Sequence, residues 1–181
     1  MKLFTTTCDK CGGGTGMEYP CGCAKRAHED VLIQRALEIV RDRLLGYKGT
    51  TFSLSAKLSM LELAVLSCGH LEHEEFKCMF FNANHGLISY RTMAIGTLSE
   101  CPTYPREFLK AALHANASYV VLVHNHPNGQ ANASNADITM THHLQECFHL
   151  VDIELVDHIV VAGSETYSLR NHGDMLPEVL T

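Results

Sequence analysis

The run VVLV within SYVVLV (118–123) restricts the fold more than any other stretch of the chain. A short, wholly apolar, β-branched segment shows no alternation between a wet and a dry face, so it belongs at the buried centre of a sheet. Its neighbours fix what surrounds it. YPREFLKAALHANA (104–117) precedes it and reads as a helix, with Pro105 at the first helical turn and Arg106 and Glu107 following in that turn. SNADITMTHHLQECFHL (134–150) follows it and reads as a second helix, with Ser134 as its N-cap.

The rest of the body fits the same plan. EEFKCMFFN (74–82) and GLISYRTMAIG (86–96) read as two strands joined by the turn NANHG, while IELVDHIVVA (153–162) and TYSLR (166–170) read as closing strands. From residue 74 the order is β-β-α-β-α-β-β, an α/β sandwich. Two helices are expected before it. HEDVLIQRALEIVRDRLLG (28–46) repeats Val31, Leu32, Ala36, Ile39, Val40 and Leu44 at helical spacing, and LSMLELAVLSC (58–68) ends near Gly69.

Residues 1–27 form a different kind of segment. CDKCGGGTGMEYPCGC presents Cys8, Cys11, Cys21 and Cys23 among glycines, which lets two short knuckles converge on one tetrahedral zinc. The expected division is therefore a zinc-knuckle-like segment at 1–27, with a loose, reduced cysteine-rich tail as the alternative, a helical linker at 28–52 and the sandwich domain at 53–181. Cys68, Cys78, Cys101 and Cys147 are scattered singly and read as buried, reduced thiols. No apolar run approaches the roughly 18–20 residues of a membrane span, and MKLFTTTCDK lacks the apolar core of a signal peptide. A soluble, cytoplasmic protein is expected.

Charge narrows the partners. Residues 1–48 carry eight Lys/Arg against six Asp/Glu, a net of +2, and residues 49–181 carry six against fourteen, a net of −8. An acidic body repels phosphate backbones, so extended nucleic-acid binding by it is disfavoured.

Chemistry concentrates in HNHPNGQANASNAD (124–137). His124 and His126 occupy alternate positions of extended chain where the strand ends, so both imidazoles project to one side. Asp137 falls in the first turn of the next helix, beside Ser134. Two imidazoles and a carboxylate make a three-ligand zinc site with a fourth position open to water, the catalytic rather than the structural pattern. His158 in VDHIVV reads as a core histidine, with contact to this site as the alternative; His142 and His143 read as surface residues. HEEFK is not a zincin helix, since Lys77 stands where H-E-x-x-H requires histidine.

H-x-H, seven residues, Ser, two residues and Asp resembles the JAMM (MPN+) metalloprotease signature. HLEHEEFKCMFFNANHGLI, GTLSECPTYPREFLKAALHANASYVVLVHNHPNG and LVDHIVV resemble its RadC branch, over about residues 53–172. Asn128 replaces the serine usual there, and Asn132 and Ala133 stand where prolines precede the motif serine.

The resemblance implies a JAMM/MPN-like (cytidine-deaminase-like) α/β sandwich with a central mixed sheet. It also implies Zn2+-dependent hydrolysis of a peptide or isopeptide bond in a protein or peptide substrate, ubiquitin-like modifiers being the superfamily's habit. His124, His126 and Asp137 would be the ligands, a glutamate from an early strand the general base, and Ser134 the donor to the oxyanion. Glu72, Glu74 and Glu75 are the candidates for the base, and Glu74, two residues before Phe76, matches RadC-like sequences. Two rival readings are a catalytically silent MPN-like interaction module and a nucleic-acid-associated RadC-like factor using the cysteine knuckle.

Overall fold

The computed structural model describes residues 22–46, 52–96, 104–127 and 129–177. Cys8, Cys11, Cys21 and Cys101 lie outside the described residues, as does the side chain of Cys23, so the expected knuckle falls outside them. Backbone contacts divide the chain into two units, Met1–Ile39 and Val40–Thr181. Helix α1 (Gly22–Leu45) runs through that division and begins six residues before the expected start at His28. The extra turns contain Ala24, Lys25, Arg26 and Ala27, all good helix formers.

The second unit carries α2 (Leu54–Cys68), β1 (Glu75–Phe81), β2 (Leu87–Ile95), α3 (Pro105–His114), β3 (Tyr119–Asn125), α4 (Asn135–His149), β4 (Glu154–Ala162), β5 (Glu165–Ser168) and α5 (Leu169–His172). The strands form one sheet in the order β2-β1-β3-β4-β5. Among the described strands the β3–β4 pair alone is parallel, because α4 carries the chain back across the sheet between them. The other pairs are antiparallel, so the sheet is mixed. β3 is its middle strand, and Val120, Val121, Leu122 and Val123 are fully buried, as an apolar run without alternation requires.

Helices cover both faces. On one side Phe108 and Ala112 of α3 and Leu144 and Phe148 of α4 pack with Phe76, Cys78 and Phe80 of β1, Val120 and Leu122 of β3 and Leu155 of β4. On the other, α2 lies against β3, β4 and β5. α2 starts at Leu54, four residues before the expected Leu58, where Ser53 caps it, its hydroxyl accepting from the Ala56 amide at 3.2 Å. Cys68 and Cys78 are buried free thiols, and Cys147 is a half-buried one.

Cys147 is thus not buried as expected, and two further expectations fail. TYSLR is not strand to its end: β5 stops at Ser168, whose hydroxyl accepts from the Asn171 amide at 3.1 Å and starts the short helix α5. Gly173, at φ +80°, ends it in the left-handed conformation. His142 is not a surface residue but half-buried, with Nε2 2.7 Å from the backbone carbonyl of Asp174. His143 is exposed.

Candidate metal centre

The site forms where β3 runs out and α4 begins. His124 is the next-to-last residue of β3, directly opposite Phe76 of β1, and its side chain leaves the sheet on the α4 side. His126 follows just past the strand, its amide donating to the Val161 carbonyl at 2.7 Å. The chain turns back through Pro127 and Gly129, the latter at φ +81°, a conformation open to glycine at no steric cost. Ser134 and Asp137 then form a reciprocal capping box at the start of α4. The Asp137 amide donates to Ser134 Oγ at 3.2 Å, while the Ser134 amide and hydroxyl donate to Asp137 Oδ2 at 2.8 and 2.6 Å.

These elements bring three of the expected groups to one point. His124 Nε2 and His126 Nε2 are 2.9 Å apart. Asp137 Oδ1 is 3.3 Å from His124 Nε2, and Asp137 Oδ2 is 3.6 Å from His126 Nε2. One ligand atom from each of the three residues lies within 4.8 Å of the others. This donor set fits a divalent cation. His126 Nδ1 is 3.0 Å from the Gln130 carbonyl, which only accepts, so its ring proton sits there and Nε2 is left with a lone pair. His124 Nδ1 is occupied by His158 Nε2 at 2.8 Å. Two ring lone pairs and a carboxylate meeting at such distances repel one another unless a positive charge sits among them.

The protonation equilibria bear this out. Burial pushes His124 down to about 4, against a weaker upward pull from Asp137. His126 is raised, chiefly by its hydrogen bond to Asp137, with burial opposing. For Asp137 burial pushes upward, but hydrogen bonds from His126 and Ser134 and the charge of His124 outweigh it and hold the carboxyl well below the usual range. Without a metal, therefore, the pocket keeps Asp137 ionised and draws a proton onto His126.

The three glutamates separate by environment. Glu74, just before β1, feels both His126 and Asp137; burial and then the Asp137 charge raise its pKa, with His126 opposing. Glu75 points elsewhere, its carboxylate held by Lys77 Nζ at 2.5 Å, His73 Nε2 at 2.9 Å and Thr92 Oγ1 at 3.2 Å. Burial pushes Glu75 up, but these hydrogen bonds win and lower it. Glu72 is exposed.

Three further residues support the site. The Asn125 side chain, between the two histidines and only 2% exposed, accepts from the Glu75 amide at 2.8 Å and donates to the His73 carbonyl at 2.9 Å. It thus grips the backbone on both sides of Glu74. His158, fully buried, is a core histidine and a contact of the site at once. A bulge at Val156 shifts the β3–β4 register, so that Val120 faces Leu155 but Val121 faces Asp157. That extra residue turns His158 onto the face already occupied by Leu155, towards His124 and α4. Thr141, one turn along α4 from Asp137, is the third, 2.6 Å from His158 Nδ1. Phe76 closes the group, its ring parallel to His124 at 5.5 Å. Two clefts of about 540 and 420 Å3 open at the opposite end of β3, around Tyr119, Glu154 and Arg170, and take no part in this centre.

A mixed sheet with helices on both faces, carrying two histidines from a strand end and a carboxylate from the next helix, is consistent with a JAB/MPN-like fold and holds a group that could bind a metal ion. Comparison with known families agrees: the model described as "RadC-like JAB domain" matches residues 54–174. The chain is 40% identical over 142 residues to UPF0758 protein YkfG of Escherichia coli (strain K12), covering 78% of this chain and 88% of that one. It is 39% identical over 145 residues to UPF0758 protein YeeS of the same organism, covering 80% and 96%. It is 36% identical over 154 residues to UPF0758 protein RSc2444 of Ralstonia nicotianae (strain ATCC BAA-1114 / GMI1000), covering 85% and 67%. The chain belongs to the RadC-like JAB domain family, within the JAB/MPN superfamily. Among the described residues, no helix is long and apolar enough to cross a membrane.

Proposed function

We propose that this protein is a zinc-dependent hydrolase of the JAMM type, cleaving a peptide or isopeptide bond in a protein or peptide substrate, with ubiquitin-like tails as the substrate class to test first. One observation carries the reading: His124 Nε2, His126 Nε2 and Asp137 converge as a three-ligand set beside an acid whose pKa is raised. Three protein ligands leave a position free for substrate or water, the arrangement of catalytic zinc. When bound, the ion supplies Lewis acidity, bringing the pKa of a water from ~16 toward ~7.

The chain's own residues do the rest. Glu74 accepts the proton released as the water oxygen bonds to the carbonyl carbon, then delivers it to the nitrogen as the C–N bond breaks. A carboxyl raised by burial suits both halves of that task, since its basicity is nearer to neutral pH. Asn125 keeps Glu74 at its station through the backbone. Ser134 orients Asp137 and, once its hydroxyl turns from Oδ2, can donate to the oxygen of the tetrahedral intermediate; such a donor contributes on the order of 3 kcal/mol. The acidic body favours a protein substrate over nucleic acid.

A panel of fluorogenic peptide and isopeptide substrates, run with zinc-loaded wild type and Glu74→Gln, tests the proposal. We expect turnover by wild type and a loss of about 100-fold or more in kcat for Glu74→Gln, with zinc content unchanged. Equal rates for the two proteins would refute the assignment of Glu74. A zinc-loaded wild type that cleaves nothing would favour the interaction-module reading.

A further inference from the structure

Thr141 and His158 touch none of the atoms that face the centre, yet both are fully buried directly behind it. Their hydrogen bonds have only one consistent direction. Thr141 Oγ1 lies 2.6 Å from the Asp137 backbone carbonyl, an acceptor, so the hydroxyl proton is spent there. Towards His158 Nδ1, at 2.6 Å, the same oxygen can then only accept. The proton of the neutral His158 ring is therefore on Nδ1, and its Nε2 is a lone pair. That lone pair faces His124 Nδ1 at 2.8 Å, which must be the donor. His124 is left with its proton on Nδ1 and a bare Nε2 aimed at His126 and Asp137.

We propose that Thr141 and His158 form a tautomer lock: they hold His124 in its Nε2-ligating form, as positioning residues that raise metal affinity without touching the metal. The inference rests on the metal-centre reading above and deepens it. The chain of bonds begins and ends at one residue, since Asp137 offers its carboxylate to the centre and its backbone carbonyl to Thr141. One turn of α4 therefore sets both an acidic ligand and the protonation pattern of an imidazole on a different strand. Both partners are shut off from solvent, and Phe76 packs against one of them, its ring 5.3 Å from that of His158. Loss of such a partner behind a ligating histidine typically weakens metal binding ~10–100-fold.

The test compares wild type, Thr141→Val and Thr141→Ser. Zinc Kd is measured by competition with a chromophoric chelator at pH 7.5. The His124 tautomer in metal-free protein is read from long-range 1H–15N NMR couplings. We expect Thr141→Val, of nearly the same shape but without the hydroxyl, to bind zinc ~10–100-fold more weakly. We expect Thr141→Ser to stay within a few-fold of wild type, and His124 to be Nδ1-protonated in wild type but mixed in Thr141→Val. Unchanged affinity in Thr141→Val would overturn the lock. So would Thr141→Ser as weak as Thr141→Val, which would make the residue a packing element. A wild type that fails to bind zinc would sink the metal centre itself, while the NMR comparison would still decide the tautomer question.

Discussion

Acid should unfold the metal-free protein through its buried imidazoles. His124 is 5% exposed and His158 is fully buried. Burial brings the folded-state pKa of His124 from 6.5 to about 4 and pushes His158 well below its ordinary value. In the unfolded chain both rings protonate near 6.5. Between pH 6.5 and 4 the unfolded state therefore binds more protons, so stability is complete above 6.5 and is lost as pH falls toward 4. For His124 alone the gap corresponds to on the order of 3 kcal/mol, a large share of the ~5–15 kcal/mol typical of a domain. Two groups at the site act oppositely. The raised pKa of His126 adds stability that is complete below 6.5 and disappears as pH rises through its folded value, so it acts above the window. Glu74, raised from 4.5, regains stability as pH falls and offsets part of the loss at the lower end. Urea unfolding in EDTA, followed by circular dichroism from pH 7.5 to 4.5, measures the balance. We expect the midpoint to fall steadily below pH 6.5, and His124→Asn to show a shallower fall. A flat wild-type midpoint across that window would refute the claim that burial holds His124 and His158 neutral.

Two further substitutions probe the support around the centre. Asn125→Ala removes the grip on both backbone neighbours of Glu74; it should cost about 1–3 kcal/mol in urea unfolding while leaving zinc stoichiometry at wild-type value, and a neutral effect would contradict the clamp. Gly69→Ala, at a helix end with ordinary φ of −64°, would stabilise an open site slightly. Here the new Cβ would lie 2.2 Å from the Gly163 carbonyl oxygen, so we expect a loss of about 1–3 kcal/mol by thermal unfolding.

The layers of the fold were legible because they rest on local patterns. An apolar run without alternation predicts a central strand, and β3 is central. Pro105 and Ser134 mark helix starts by chemistry that acts over one turn. The grouping of His124, His126 and Asp137 was legible for the same reason, since strand alternation, a tight turn and a cap fix all three within fourteen residues. What escaped depends on register and on distant contact. From the sequence, contact of His158 with the site is only the alternative to a core position: simple alternation turns it away from the Leu155 face, and the Val156 bulge returns it. Thr141 looks like any helix residue until β4 lies beside it. The role of Asn125 was not legible because its partners are backbone groups 50 and 52 residues away. In TYSLR only Thr166 and Tyr167 carry strand propensity; Leu169 and Arg170 are good helix formers, and the Ser168 cap starts the helix there. His142 is covered by the segment after α5, which no periodicity announces.

Anomalous diffraction at the zinc absorption edge, on crystals grown with equimolar zinc, addresses the metal centre itself. The account predicts a peak bonded to His124 Nε2, His126 Nε2 and an oxygen of Asp137. A map whose only zinc lies elsewhere, with those three side chains still in mutual contact, would contradict it.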